Sequence, residues 1–226
     1  EIKGRIKLDD ESLKYVDKQY EYWTKTTVEG NYSIKLRKKI GTNIVEEIWN
    51  GDKEKEKIKT EYFGVGDIEV SFNDKLLGYS LDLKGSEYYT IYIREISSNK
   101  QVTEKIEDTT GGITFSLDNE YIFYSKLDQN HRPRKIFRHK IGDSIKNDEL
   151  IFEEKSEAFS VGISLSSDEK YFFINTSDHN TSEQYYFEVD EEKPKPKLIK
   201  KRKKGIIYSV NSWNGYFYNH TNENAE

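Results

Sequence analysis

The chain has 226 residues, with 36 Lys and Arg against 41 Asp and Glu, a net charge of -5 and 34% hydrophobic residues. No cysteine is present, which excludes disulfides and thiolate metal sites, and no apolar run approaches the roughly 18 residues that span a bilayer. Aromatic side chains, 17 Tyr and 11 Phe, make up for scarce aliphatics because each buries a large area, so the composition reads as a folded chain with a charged surface.

The chain opens Glu1-Ile2-Lys3, with neither an initiator Met nor a signal peptide. The expectation is a cytoplasmic fragment whose N-terminus lies upstream. Residues 1–12 read as a lead-in, with short helical turns near Asp10–Leu13. A first strand pair follows, turning at Asp17-Lys18 into the aromatic run 20–24.

The same pattern then recurs: apolar alternation, a polar turn with Asp or Asn, and an aromatic-rich strand. It occupies residues 68–82, 113–128, 163–178 and 208–222, with turns at Asp74, Asp118, Asp168 and Asn214. Those turns lie 44, 50 and 46 positions apart, the period of propeller blades. Each full repeat carries a third, alternating strand, at 87–94, 134–139 and 183–189. A shorter, charged outer strand follows at 101–106, 149–153 and 197–201. Inner strands between neighbours and a wet outer strand explain that gradient.

The reading is an all-β chain, a partial propeller over 13–226 of four-stranded antiparallel blades. Blade limits fall at about 13–58, 66–108, 111–156 and 160–204, with a half blade at 206–222. Helical spacing is otherwise scarce, and an open arc of blades leaves apolar edges for a partner.

Residues 128–142, Asp-Gln-Asn-His-Arg-Pro-Arg-Lys-Ile-Phe-Arg-His-Lys-Ile-Gly, closely resemble the third blade of the oligopeptidase B branch of the prolyl oligopeptidase family. Further matches follow in family order at 4–10, 82–91, 110–112, 150–154 and 179–183. The resemblance implies about four and a half blades of a seven-bladed propeller that gates an α/β-hydrolase domain with a Ser, Asp and His triad. It also implies cleavage of short peptides after Lys or Arg. No G-x-S-x-G nucleophile elbow occurs, so the hydrolase domain is absent and the chain alone is expected to be inactive, with no catalytic residue, metal or cofactor.

Single residues fit that picture. His131, His139, His179 and His220 sit in different repeats, never at metal-ligand spacing, and read as surface or strand-packing residues. The run 200–204 (Lys-Lys-Arg-Lys-Lys) reads as an outer strand guarded by lysines; nucleic acid is not expected as a partner, nor is a membrane. The Asn-x-Ser/Thr triplets at Asn31, Asn175, Asn180 and Asn219 read as chance matches. Candidates for contact with a hydrolase domain are Glu61, in a Glu-aromatic-aromatic word similar to one in the family, and Arg132, Arg134 and Arg138. The Glu61 idea expects an arginine near 86–87, where this chain has Ser86-Glu87. Expected partners are the missing hydrolase domain, short basic peptides in the full enzyme and a second copy at the open edges. The other reading is a stand-alone propeller from a truncated gene, acting as a scaffold for protein or peptide binding.

Overall fold

The computed structural model describes residues 3–5, 7 and 9–225 and divides into two compact units, 1–63 and 64–226. Ile6 and Leu8, part of the opening family word, lie outside the described residues.

The first unit starts with a single 3-10 turn at Lys3–Arg5 and continues as β1 (Asp10–Glu11), β2 (Tyr15–Asp17), β3 (Tyr20–Thr26), β4 (Ile34–Lys39) and β5 (Val45–Asn50). The sheet runs β1-β3-β4-β5, and β2 also pairs with β3. The β2–β3 turn places Lys18 at φ 50°, as a tight hairpin demands. Tyr22, Trp23, Ile48 and Trp49 are buried, and Tyr32 meets Phe63 edge-on at 5.0 Å while its hydroxyl donates to the Phe63 carbonyl.

A helix, α1 (Gly51–Ile58), follows directly. It has no apolar stripe, so periodicity does not reveal it; its capping does. The Asn50 side chain accepts from the Lys53 amide, Asp52 and Glu54 occupy the first turn, and Lys59 closes the helix at φ 57°.

The second unit contains β6 (Gly64–Val70), β7 (Leu76–Asp82), β8 (Tyr89–Glu95), β9 (Ile106–Thr109), β10 (Thr114–Phe115), β11 (Tyr121–Leu127), β12 (Pro133–Lys140) and β13 (Glu149–Glu153). Then come β14 (Ser160–Leu165), β15 (Tyr171–Ser177), β16 (Ser182–Glu188), β17 (Lys197–Lys200), β18 (Tyr208–Trp213) and β19 (Tyr216–Thr221). The blades are antiparallel meanders, β6–β9, β10–β13 and β14–β17, and a Thr109–Lys126 bridge joins the first two into one eight-stranded sheet. Strands β18 and β19 form a separate pair.

The repeat turns share one chemistry. The hydroxyls of Ser71, Ser116 and Ser166 donate to Asn73, Asp118 and Asp168 and accept the amides of Leu76, Tyr121 and Tyr171. The residue after each Asn or Asp takes positive φ: Asp74 60°, Asn119 63° and Glu169 55°. In β18–β19 the turn is Asn214-Gly215, both at positive φ, the two-residue form that suits a hairpin's twist.

Hydrogen bonds between successive repeats fasten the blades. The Asn73 amide donates to Asn119, Ile113 to Asp67 and Ser167 to Asn211, and the Ser212 hydroxyl donates to Asp168. Strands β7, β11 and β15 are buried on both faces, whereas β13 and β17 meet water.

Three expectations need correction. Asp10–Glu11 pairs with β3 as a strand and makes no helical turn. The outer strand expected at 101–106 is a lone Gln101–Arg94 bridge followed by β9. The Val102 amide still donates to the Ile93 carbonyl of β8, and the pairing breaks at Thr103, whose hydroxyl turns to His139. The strand expected at 197–201 stops at Lys200, because Arg202 turns inward onto buried carboxylates. Among the described residues no helix is long and apolar enough to cross a membrane.

Candidate domain-interface site

Of the four interface candidates, Arg138 is the most enclosed. It sits on β12, 7% exposed, opposite Phe123 of β11. Its Nη2 donates to Glu149 Oε2 at 2.6 Å and to the Glu192 carbonyl at 2.8 Å. The guanidinium lies 4.5 Å from the centre of the Tyr121 ring.

This arrangement recurs. Arg37 on β4 stands in the same register position, covers Tyr20 at 4.2 Å and pairs with Glu46, whereas Arg94 on β8 sits one residue along and covers Tyr79 at 5.1 Å. In the next blade Tyr186 stands in the Arg138 position, opposite Phe173, and meets Tyr171 edge-on at 5.6 Å. Arginine on a tyrosine face is a desolvated cation–π contact, so Arg138 clamps its own blade and, through the Glu192 carbonyl, ties it to the next.

Arg134, at the other end of β12, is also engaged inside the blade. Its guanidinium donates to the Glu154 and Lys155 carbonyls. Arg132 differs. Its backbone closes the turn after β11, where Asp128 accepts the Asn130 and Arg132 amides, but its side chain is exposed. Glu61 lies exposed on the connector after α1.

The family-like words around 82–91 and 128–142 meet at one place. Asp82 is buried and accepts the amides of Lys84, Gly85 and Glu87, which wraps the loop around its carboxylate. Burial alone would raise its pKa, but those amides hold it below the ordinary range. The loop ends at Tyr88, whose hydroxyl donates to the Asp128 carbonyl and whose ring meets His131 edge-on at 4.4 Å. Glu87 reaches His131 at 3.6 Å.

Two buried polar networks escape sequence reading. In the first, the Thr103 hydroxyl lies 2.6 Å from His139 Nε2, and His139 Nδ1 lies 2.6 Å from Asp148 Oδ1. The Tyr124 hydroxyl donates to Asp148 Oδ2 at 2.8 Å. The order hydroxyl, imidazole, carboxylate matches a hydrolytic triad, but the His139 ring has no exposed surface. The relay therefore fastens the segment before β9 to β11 and β12, and His139 has the packing role expected of it. His179 and His220 are exposed on a turn and on β19.

In the second network, Arg202 from the lysine-rich run donates to Glu154 at 2.5 Å and to Glu183 at 2.7 Å. Thr176 and the Ser156 amide also donate to Glu154, and Arg202 rests on the Phe159 ring at 4.0 Å. Burial would raise the Glu154 pKa, but the Ser156 amide, Arg202 and Thr176 keep it below the usual carboxylate range. The relay left no signal in the sequence, and the second network left a faint one, a single Arg among lysines, the residue suited to bidentate burial. Among the described residues no group of three or more His, Asp or Glu comes together as a metal site.

The sequence profile of the family described as prolyl oligopeptidase, N-terminal beta-propeller domain, matches residues 1–226. Protease 2 of Moraxella lacunata is 30% identical over 167 residues, covering 73% of this chain and 24% of that protein. Dipeptidyl aminopeptidase BI of Pseudoxanthomonas mexicana is 26% identical over 198 residues, covering 81% of this chain and 27% of that protein. The structure of oligopeptidase B from Leishmania major superposes with a TM-score of 0.91 at 24% identity, covering 97% of this chain and 32% of that one. Oligopeptidase B from Trypanosoma brucei, with covalently bound antipain and in its closed form, gives 0.88 at 25% identity, covering 97% and 31%. The chain thus spans about a quarter of the length of these curated relatives. Its repeated meanders, its clamped blades and the match along its whole length agree: the chain belongs to the prolyl oligopeptidase family, of which it is propeller sequence without the catalytic domain.

Proposed function

We propose that this chain is the substrate-gating part of a serine-type, two-domain oligopeptidase that cleaves short peptides after Lys or Arg in the cytoplasm. The observation that carries the reading is the family profile spanning residues 1–226. A propeller beside a catalytic domain admits flexible peptides and excludes folded proteins by size, which is a filter and not a chemical step. The chain supplies the filter, and its partner is the hydrolase domain. Glu61 and Arg132 offer that domain exposed charges, whereas Arg134 braces its own blade and Arg138 braces that blade and the next. The test is a chimera in which this chain replaces the matching segment of Moraxella lacunata Protease 2. The expected result is cleavage of short Arg- and Lys-containing peptides with folded proteins left intact. A correctly folded chimera that cleaves both equally would overturn the gating role.

The second reading is a stand-alone scaffold that binds protein or peptide, including its own copy. Its support is the β18–β19 pair, where Trp213 is 61% and Tyr216 67% exposed and Tyr218 lies on the same strand as Tyr216. Light scattering on the purified chain separates the readings: a concentration-dependent dimer abolished by Tyr218→Lys supports it, and a monomer at all concentrations rejects self-association.

A further inference from the structure

An asparagine followed by glycine or serine carries a vulnerable amide, because the next backbone nitrogen reaches its side-chain carbonyl and a small neighbour leaves that path open. The chain has two Asn-Gly pairs, Asn50-Gly51 and Asn214-Gly215, and one Asn-Ser pair, Asn211-Ser212. The fold treats them differently. Asn50 caps α1: its side chain accepts the Lys53 amide at 3.2 Å and donates to Glu47 at 3.2 Å. Gly51 is buried against Tyr32, and its amide donates to the Ser33 carbonyl. Asn211 is held as fully, with its oxygen on the Ser167 and Ser212 amides and its Nδ2 donating to the Ser167 hydroxyl.

Asn214 has none of this protection. With Gly215 it forms the exposed two-residue turn between β18 and β19. Among the described residues, neither the Asn214 side chain nor the Gly215 amide has a hydrogen-bond partner. Asn214 and Trp213 also line a cavity of about 450 Å³ together with Ser167, Asp168 and Glu169 of the preceding blade. Asp168 accepts the Ser212 hydroxyl there, one of the bonds that fasten β18–β19 to its neighbour.

We propose that Asn214 is a site of spontaneous deamidation. The Gly215 amide nitrogen attacks Asn214 Cγ and forms the C–N bond of a succinimide. Its proton passes to Nδ2, which leaves as ammonia when the Cγ–Nδ2 bond breaks. Water then opens the ring at either carbonyl, giving aspartate or isoaspartate. Both products bring a new carboxylate to the cavity that Asp168 and Glu169 line, where like charges repel. Isoaspartate also adds a methylene to the backbone of the turn, which spoils the two-residue hairpin geometry. The β18–β19 pair then loosens from the β14–β17 blade. This chemistry belongs to the chain itself and is independent of gating.

The test is incubation of the purified chain in mildly alkaline buffer, followed by peptide mapping with mass spectrometry to read aspartate and isoaspartate at each asparagine. Asn214 should convert first, with Asn50 and Asn211 at least about tenfold slower, because their hydrogen bonds must break before the attack. In urea the fold no longer shields Asn50, and the two Asn-Gly pairs should convert at similar rates. Asn50 keeping pace with Asn214 in the folded chain would overturn the proposal, as would Asn214 staying intact there while it converts in urea. A gap that persists in urea would place the difference in flanking sequence and overturn the structural account. For the loosening, Asn214→Asp suits the positive φ of the turn and should fold. Its thermal midpoint should lie below the parent's at low salt and approach it as salt rises. Equal midpoints at low salt would overturn the loosening. No catalytic domain takes part, so a failure here leaves the chimera result untouched.

Discussion

The seam between the β6–β9 and β10–β13 blades and the seam between β10–β13 and β14–β17 solve one packing problem with different chemistry. The first is mostly aliphatic: Ile91, Ile93, Ile106, Ile113 and Ile122 pack with Phe115 and Tyr124. Its polar fastener is the Thr103–His139–Asp148–Tyr124 relay. The second seam is aromatic, with Phe123 4.6 Å from Phe172 and Phe172 5.3 Å from Phe187. Its fastener is ionic, Arg202 between Glu154 and Glu183. A blade interface thus needs filled volume and satisfied polar groups, and either set of side chains supplies both.

The comparison can be broken at four points. The largest effect is expected in the aromatic core. Phe172→Ala, at a fully buried ring, should cost about 4 kcal/mol, and Ile122→Val in the aliphatic seam only about 1 kcal/mol, both read from urea midpoints. A Phe172→Ala cost no larger than that of Ile122→Val would mean that the aromatic seam contributes little packing energy.

Next comes the ionic fastener. Arg202→Met should cost about 3 kcal/mol, because Glu154 and Glu183 then lie buried without a counterion. Lys201→Ala beside it should stay within about 0.5 kcal/mol. Similar losses for both would place the run's importance in its net charge and not in the buried pair. For the relay, Thr103→Val should cost about 1 kcal/mol, since His139 keeps Asp148.

The smallest effect is a pH dependence. Asp82 and Glu154 titrate below their ordinary values in the fold. Their stabilisation is therefore complete above the unfolded carboxylate range and fades as pH falls through the lowered folded values. Thermal midpoints should hold from pH 7 to about 5 and drop toward pH 3. Asp82→Asn should flatten that drop, and an unchanged slope would assign it to other carboxylates.

Much of the architecture was legible from local chemistry. Alternating apolar and aromatic residues mark β7, β11 and β15, and the serine two residues before Asn73, Asp118 and Asp168 marks the turns. These signals are local because a strand's facing and a turn's hydrogen bonds involve residues a few positions apart. Helix α1 escaped because it is polar all round, and only its cap betrays it. The candidate site was less legible: Arg132 and Arg138 look alike in one basic cluster, yet one is exposed and the other buried.

The sequence by itself determined the blade period, the strand order and the absence of a nucleophile elbow, since each is written in neighbouring residues. Only the tertiary structure decided which charges are buried. Arg202 meets Glu154 across 48 positions and Thr103 meets His139 across 36, so their partners exist only once the blades pack. Burial then separates them from identical residues in water, because a charge in the interior must find a partner and a charge at the surface need not.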